Sequence, residues 1–192
     1  MLIVFDAMGT LLTDPYQAAH EAASGLTIAQ FEKMCPPGAY HSLERGEITE
    51  AEYVDGLRRS GVRFDTPLFH ATRRQGYAWL PGMRELAADC AAVCQTVVGS
   101  NYPEWIADVA AGYFGDLGIE VFASHRLGVR KPDRRFFELL CGHLGRDLSE
   151  VLLIDDKPRN TDAVQAFGGV GIPFVSAASA RGALRVLGVL PV

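Results

Sequence analysis

What this chain lacks narrows it first. No apolar run among its 192 residues approaches the roughly 18 residues of a membrane span, so no membrane association is expected. It has no excess of basic charge: 18 Lys and Arg stand against 23 Asp and Glu, a formal net charge of −5. A surface that tracks nucleic-acid phosphates is basic, so that function class is excluded, although a small local anion pocket is not. The four cysteines, Cys35, Cys90, Cys94 and Cys141, are scattered. Cys90 and Cys94 sit four apart in an Ala-rich helical stretch, but a second pair at metal-site spacing is missing. Buried free thiols in a reducing cytoplasm are therefore expected. The first twelve residues are apolar yet have no basic leader and include Asp6, which reads as no signal peptide and a cytoplasmic location. No internal repeat and no low-complexity tract is visible.

What is present fits one domain, or one domain carrying a small insertion. Hydrophobic residues make up 48% and charged residues 21%, enough apolar surface for a real core. Leu2-Ile3-Val4-Phe5 is a short apolar run that ends directly on Asp6. From about Asp14 to Tyr77 the pattern is helical and strand-free. Thr27-Ile28-Ala29-Gln30 and Thr49-Glu50-Ala51-Glu52 have the spacing of capping boxes, and Thr66-Pro67 marks a further helix start. Beyond Pro81 short apolar runs alternate with amphipathic helices: Met83, Leu86, Ala87 and Cys90, then Thr96-Val97-Val98, then a helix over about Pro103–Phe114. A short run at Glu120-Val121-Phe122 follows, then a helix marked by Phe136, Leu139, Leu140 and His143, then Val151-Leu152-Leu153-Ile154 and Ile172-Pro173-Phe174-Val175. This alternation predicts an α/β fold, a Rossmann-like parallel sheet with helices on both faces. Residues 1–13 and 79–192 form the expected core, and 14–78 a small all-helical insertion.

In open parallel sheets, ligands bind at the carboxyl ends of the strands. Asp6, Ser100 with Asn101, and the pair Asp155-Asp156 each follow an expected strand, and Lys131 stands in the loop Gly128-Val129-Arg130-Lys131-Pro132. Singly, each has an ordinary reading as a helix cap or a turn. Together they place carboxylates, a hydroxyl and an ammonium on one edge.

This set, Phe5-Asp6-Ala7-Met8-Gly9-Thr10-Leu11, Val98-Gly99-Ser100-Asn101, Leu127 to Pro132, and Leu153-Ile154-Asp155-Asp156 with Asn160 and Gly168, resembles the haloacid dehalogenase-like (HAD) superfamily. The resemblance spans the chain, because such proteins commonly carry a helical cap between the first two motifs. Glu44-Arg45-Gly46-Glu47-Ile48-Thr49 is similar to a cap segment of one phosphatase-like branch. It implies a phosphatase of a small phosphorylated metabolite, with Asp6 as nucleophile forming an aspartyl-phosphate. Lys131 would then offset the charge, and Ser100, Asn101 and, from the cap, Arg45 would hold substrate. Asp6, Asp155, Asp156 and the Met8 main-chain carbonyl would hold Mg²⁺, with Asp155 preferred as a direct ligand and Asp156 or Asn160 acting further out. The donor chemistry agrees: two carboxylates about 4 Å apart repel by roughly 4 kcal/mol at an effective dielectric near 20, and hard oxygen donors suit Mg²⁺.

Met8 departs from the resemblance. Phosphatases of this kind usually carry a second aspartate two positions after the nucleophile, and a thioether cannot move protons. Three readings follow. A phosphatase could act on a substrate with a good leaving group, or borrow an acid from the cap or from water. A metal-independent 2-haloacid dehalogenase needs no such acid. A non-catalytic relative would bind a phosphorylated ligand or a partner. The metal cluster favours the first. Arg58-Arg59 and Arg73-Arg74 read as solvated helix faces, and Tyr77 and Trp79 as hinge packing. The sequence leaves the metabolite and the oligomeric state open.

Overall fold

The computed structural model describes residues 1–191. Its centre is strand β1 (Leu2–Phe5), followed by five helices: α1 (Tyr16–Ser24), α2 (Ile28–Met34), α3 (Ala39–Glu44), α4 (Glu50–Arg59) and α5 (Thr66–Gln75). The chain continues through α6 (Met83–Val93), β2 (Gln95–Ser100), α7 (Ile106–Val109), β3 (Glu120–Ala123), α8 (Ser124–Leu127) and α9 (Arg134–Leu144). It ends with β4 (Val151–Asp155), α10 (Pro158–Ala166), β5 (Val170–Pro173) and α11 (Ala177–Val186).

The five strands form one parallel sheet in the order β3-β2-β1-β4-β5. Alternation along each strand sends neighbouring side chains to opposite faces. Leu2, Val4, Val97, Val151 and Leu153 pack with Phe136, Phe137, Leu140 and Cys141 of α9 and Val164 of α10. Ile3, Phe5, Val98, Leu152 and Ile154 pack with Met83, Leu86, Ala87 and Cys90 of α6 and Ala180 and Leu184 of α11. The sheet is therefore covered on both faces, as the apolar strand runs require.

Both capping boxes form. Thr27 N–H donates to Gln30 Oε1 at 3.1 Å, and Thr49 N–H to Glu52 Oε2 at 2.7 Å. Asp65, rather than Thr66, caps α5, which leaves Pro67 in its first turn. Two sequence expectations shift. The last strand lies at Val170–Pro173, two residues earlier than expected. The helix after β2 starts at Ile106 and widens into a π turn over Ala110–Phe114. Cys90 and Cys141 are buried and Cys35 and Cys94 half-buried, and all four are free thiols. Among the described residues, no helix is long and apolar enough to cross a membrane.

Arg73 corrects the reading of a solvated pair. It is 1% exposed, donates to Tyr77 Oη at 2.9 Å and to Asp108 Oδ2 at 3.2 Å, and lies 5.2 Å from the Trp105 ring centre. The exposed Arg74 beside it keeps the expected character. Trp79 pairs with Leu12 across an antiparallel bridge and packs on Phe114, where the chain returns from the helical segment to the sheet.

Candidate active site

Register decides which side chains meet. Phe5 pairs with Val98 on one side and Ile154 on the other, so the residues that follow, Asp6, then Gly99-Ser100, then Asp155, leave the sheet at one edge. β1 is also where the strand order reverses, with β2 and β3 to one side and β4 and β5 to the other. A crevice opens at such a switch point.

Lys131 ties the edge together. Its Nζ donates to Asp6 Oδ1 at 2.8 Å and to Asp155 Oδ2 at 2.6 Å, and the residue is 1% exposed. Burial works against the ammonium, but Asp6 and Asp155 outweigh it and hold Lys131 above its ordinary pKa. Burial pushes the Asp6 carboxyl up to about 7, against the pull of Lys131 and with Asp155 and Asp156 adding to the rise. Asn101 sets the Lys131 main chain: its Nδ2 donates to the Lys131 carbonyl at 2.9 Å, and its Oδ1 accepts from the Lys131 N–H at 2.8 Å. Both polar ends of that side chain thus bond the Lys131 main chain.

The turn after β1 meets the turn after β4 at close range. Gly9 has φ +81°, a conformation that favours glycine, and a Cβ there would stand 2.9 Å from Asp156 Oδ2 and displace that carboxylate. Thr10 Oγ1 accepts from Asp156 N–H at 3.0 Å. Asp155 is saturated: Oδ1 accepts from Lys157 N–H and Asn160 Nδ2, and Oδ2 from Lys131 and Asn160. Asp156 Oδ2 accepts from Lys157 Nζ at 2.7 Å, while its Oδ1 is buried with no hydrogen-bond partner. Asp6, Asp155 and Asp156 each offer an oxygen, and these lie within 4.8 Å of one another. An orphaned buried carboxylate oxygen beside a second carboxylate fits a hard divalent cation.

These groups border a cavity of ≈ 120 Å³ whose wall includes Asp6, Met8, Ser100, Asn101, Lys131 and Asn160. Ser100 is 1% exposed. Arg45 does not line it: its guanidinium is paired with Glu47 at 2.6 Å and also reaches Ser42. Its neighbour does. Glu44 faces the cavity, with Arg130 Nε 2.6 Å from Glu44 Oε2. Tyr16, Tyr40 and Tyr102 complete the wall with Asp14, Lys157 and Arg159. Reading the sequence missed these. Glu44 and Arg130 did lie inside stretches already singled out, whereas Tyr16 of α1 and Tyr40 of α3 meet edge to face at 4.8 Å only in the folded chain.

Residues 1–168 match the family described as a hydrolase, haloacid dehalogenase-like hydrolase. The chain belongs to this family. Over 190 residues it is 30% identical to flavin mononucleotide hydrolase 1 of Arabidopsis thaliana, covering 98% of this chain and 78% of the relative. A shorter match, 36% identical over 75 residues (39% of this chain, 38% of the relative), is to the sesquiterpene phosphatase astK of Aspergillus oryzae. A HAD family enzyme from Bacteroides thetaiotaomicron, solved with magnesium and inorganic phosphate, superposes with TM-score 0.77 at 19% identity, over 91% of this chain and 94% of that one. The L-2-haloacid dehalogenase of Xanthobacter autotrophicus, with chloropropionic acid covalently bound, gives 0.64 at 16% identity, over 99% and 84%. The HAD fold and hydrolase membership follow; the structural likenesses bear on the fold alone.

Proposed function

We propose that this HAD hydrolase is a Mg²⁺-dependent phosphatase of a small phosphorylated metabolite, and that Asp6 is its phosphoryl acceptor. The observation that carries this reading is the convergence of Asp6, Lys131, Asp155 and Asp156 at the switch point of the sheet. Asp6 Oδ1 is held by Lys131, which leaves its second oxygen free to attack phosphorus. Ser100 and neighbouring main-chain N–H groups hold the transferred oxygens, while the Lys131 ammonium offsets their charge. Asp6, Asp156 and the Met8 carbonyl would hold Mg²⁺, with Asp155 orienting Lys131 and Asn160 behind them. This reverses the order expected from sequence, because Asp155 already carries four hydrogen bonds and Asp156 an unpartnered oxygen. When bound, the ion supplies positive charge that lets an anionic carboxylate approach an anionic phosphate. Residues 14–78 act as the cap over this edge. The relatives named for hydrolysing a flavin mononucleotide and a sesquiterpene phosphate support the reaction class.

Met8 supports a second reading, a metal-independent 2-haloacid dehalogenase, because a departing halide needs no proton. Against it, Asp155 and Asp156 would repel a carboxylate substrate. A panel of phosphomonoesters with Mg²⁺ or EDTA, run beside 2-chloropropionate in EDTA, separates the two. Phosphate release that requires Mg²⁺ and falls about 10⁴-fold or more in Asp6→Asn is the expected result. Dechlorination in EDTA, with every phosphoester intact, would overturn the phosphatase reading.

A further inference from the structure

An alkoxide leaving group needs a proton, and the position where a carboxylate usually serves holds Met8. Met8 lines the cavity, and its thioether has no exchangeable proton. The replacement must reach the same cavity, exist in both protonation states near neutral pH, and lie off the metal cluster.

We propose that Glu44 is the catalytic acid and base of this site, protonating the departing oxygen and then activating the water that opens the aspartyl-phosphate. The proposal rests on the reading of Asp6 as phosphoryl acceptor. Glu44 ends α3 and is anchored twice to the core. Its main-chain carbonyl accepts from Ser124 Oγ at 2.6 Å, and its carboxylate lies 2.6 Å from Arg130 Nε. The residue is 6% exposed yet lines the same cavity as Asp6, Met8 and Lys131. It comes from the segment proposed to cover the site, where the leaving group of a phosphoester held at Asp6 would lie.

The other cavity groups serve less well. Burial also raises the Asp14 carboxyl, but the residue is far more exposed than Glu44 and its Oδ1 accepts from Tyr16 N–H at 2.9 Å. Burial raises the phenols of Tyr16, Tyr40 and Tyr102 above their ordinary values, so none can serve as base at neutral pH. For Glu44, burial raises the carboxyl to about 7; Arg130 and, more weakly, Arg45 pull it down, and Asp14 pushes it up. The Glu44 charge in turn helps to raise the phenols of Tyr16, Tyr40 and Tyr53. A pKa near the working pH is where a group gives and takes a proton best. When Glu44 is neutral, Arg130 loses its counter-charge, and an anionic substrate can supply one. Substrate binding and protonation of Glu44 therefore favour each other.

The step balances. A bond forms from an Asp6 carboxylate oxygen to phosphorus as the ester P–O bond breaks, and the Glu44 proton goes to the leaving oxygen. Water then bonds to phosphorus through its oxygen, the Asp6–phosphorus link breaks, and one water proton returns to Glu44. Inorganic phosphate is released, and both carboxyl groups return to their starting states.

The test compares two probes with Mg²⁺: 2-glycerol phosphate, whose alkoxide needs a proton, and p-nitrophenyl phosphate, whose phenolate leaves without one. In Glu44→Gln, kcat for 2-glycerol phosphate should fall about 10²-fold or more, while the release of p-nitrophenolate in the first turnover stays within a few-fold. Equal losses on both probes, or none on either, would overturn the proposal. Should the variant fold poorly, the wild-type pH profile decides. The alkyl probe should lose rate above an apparent pKa at or above about 7, a limb absent from the burst with the nitrophenyl probe. Coincident profiles overturn it. Absence of phosphate release from both probes in the wild type instead defeats the phosphatase reading itself.

Discussion

At the scale of single residues, the site is a balance of buried charge. Asp6 and Asp155 are tolerable at this depth because one ammonium bonds both. Replacing Lys131 with Met keeps the length of the side chain and removes the charge, leaving Asp6 without its ammonium and Asp155 with only the uncharged donors of Asn160 and the Lys157 N–H. Breaking a buried pair in this way costs about 3–5 kcal/mol. Urea unfolding in EDTA should show that loss, and added Mg²⁺ should recover part of it by binding the folded form. An unchanged midpoint would mean that Lys131 does not hold the acids together. Asp6, Ser100 and the acid pair were legible because each ends or adjoins a short apolar run, so position along the chain fixes position on the sheet edge; Lys131, in a loop after Arg130, stood out through the resemblance of its segment. Arg45 and Glu44 show the limit of such reading. The segment was recognisable, but which of two adjacent side chains faces the cavity depends on how α3 lies on the core, and its end docks through Ser124.

At the scale of elements, the interior of the helical segment, continuous with the core on one face of the sheet, is built around a histidine. His20 is fully buried. Its Nδ1 bonds the Tyr16 carbonyl at 2.7 Å, and its Nε2 lies 3.3 Å from Tyr53 Oη. A carbonyl only accepts, so the proton sits on Nδ1 and Nε2 accepts from the tyrosine. Burial lowers the pKa from the ordinary 6.5 to about 4. Between those values the unfolded chain binds the proton more readily than the folded one, so stability is lost as the pH falls through that window. From pH 7 to pH 5 the contribution is about 2 kcal/mol. Urea midpoints for the wild type and His20→Phe should diverge in this direction, the wild type losing more on acidification. Parallel losses would show that His20 is not the group responsible. The turn that joins α3 to α4 adds a steric lock: Gly46 has φ +66°, and a Cβ there would stand 2.7 Å from the His125 carbonyl oxygen. Capping boxes announced α2 and α4 from four residues each, because the bonds involved are local. The burial of Arg73 was invisible, since Trp105 and Asp108, at the start of α7, reach it only when α5 folds against them.

At the scale of the whole molecule, one parallel sheet brings groups from residue 6 to residue 160 to a single edge. The alternation of apolar runs and helices disclosed that sheet, but strand order and register arise from the two-faced packing around β1. On the proposed function, that convergence lets an anionic attacker and an anionic target meet. The most direct measurement is a rapid-quench digest after mixing the protein with acetyl phosphate. A phosphoryl group on the peptide that contains Asp6, formed with Mg²⁺, absent with EDTA and absent in Asp6→Asn, is the expected result. Inorganic phosphate released while that peptide never carries a phosphoryl group would contradict the account.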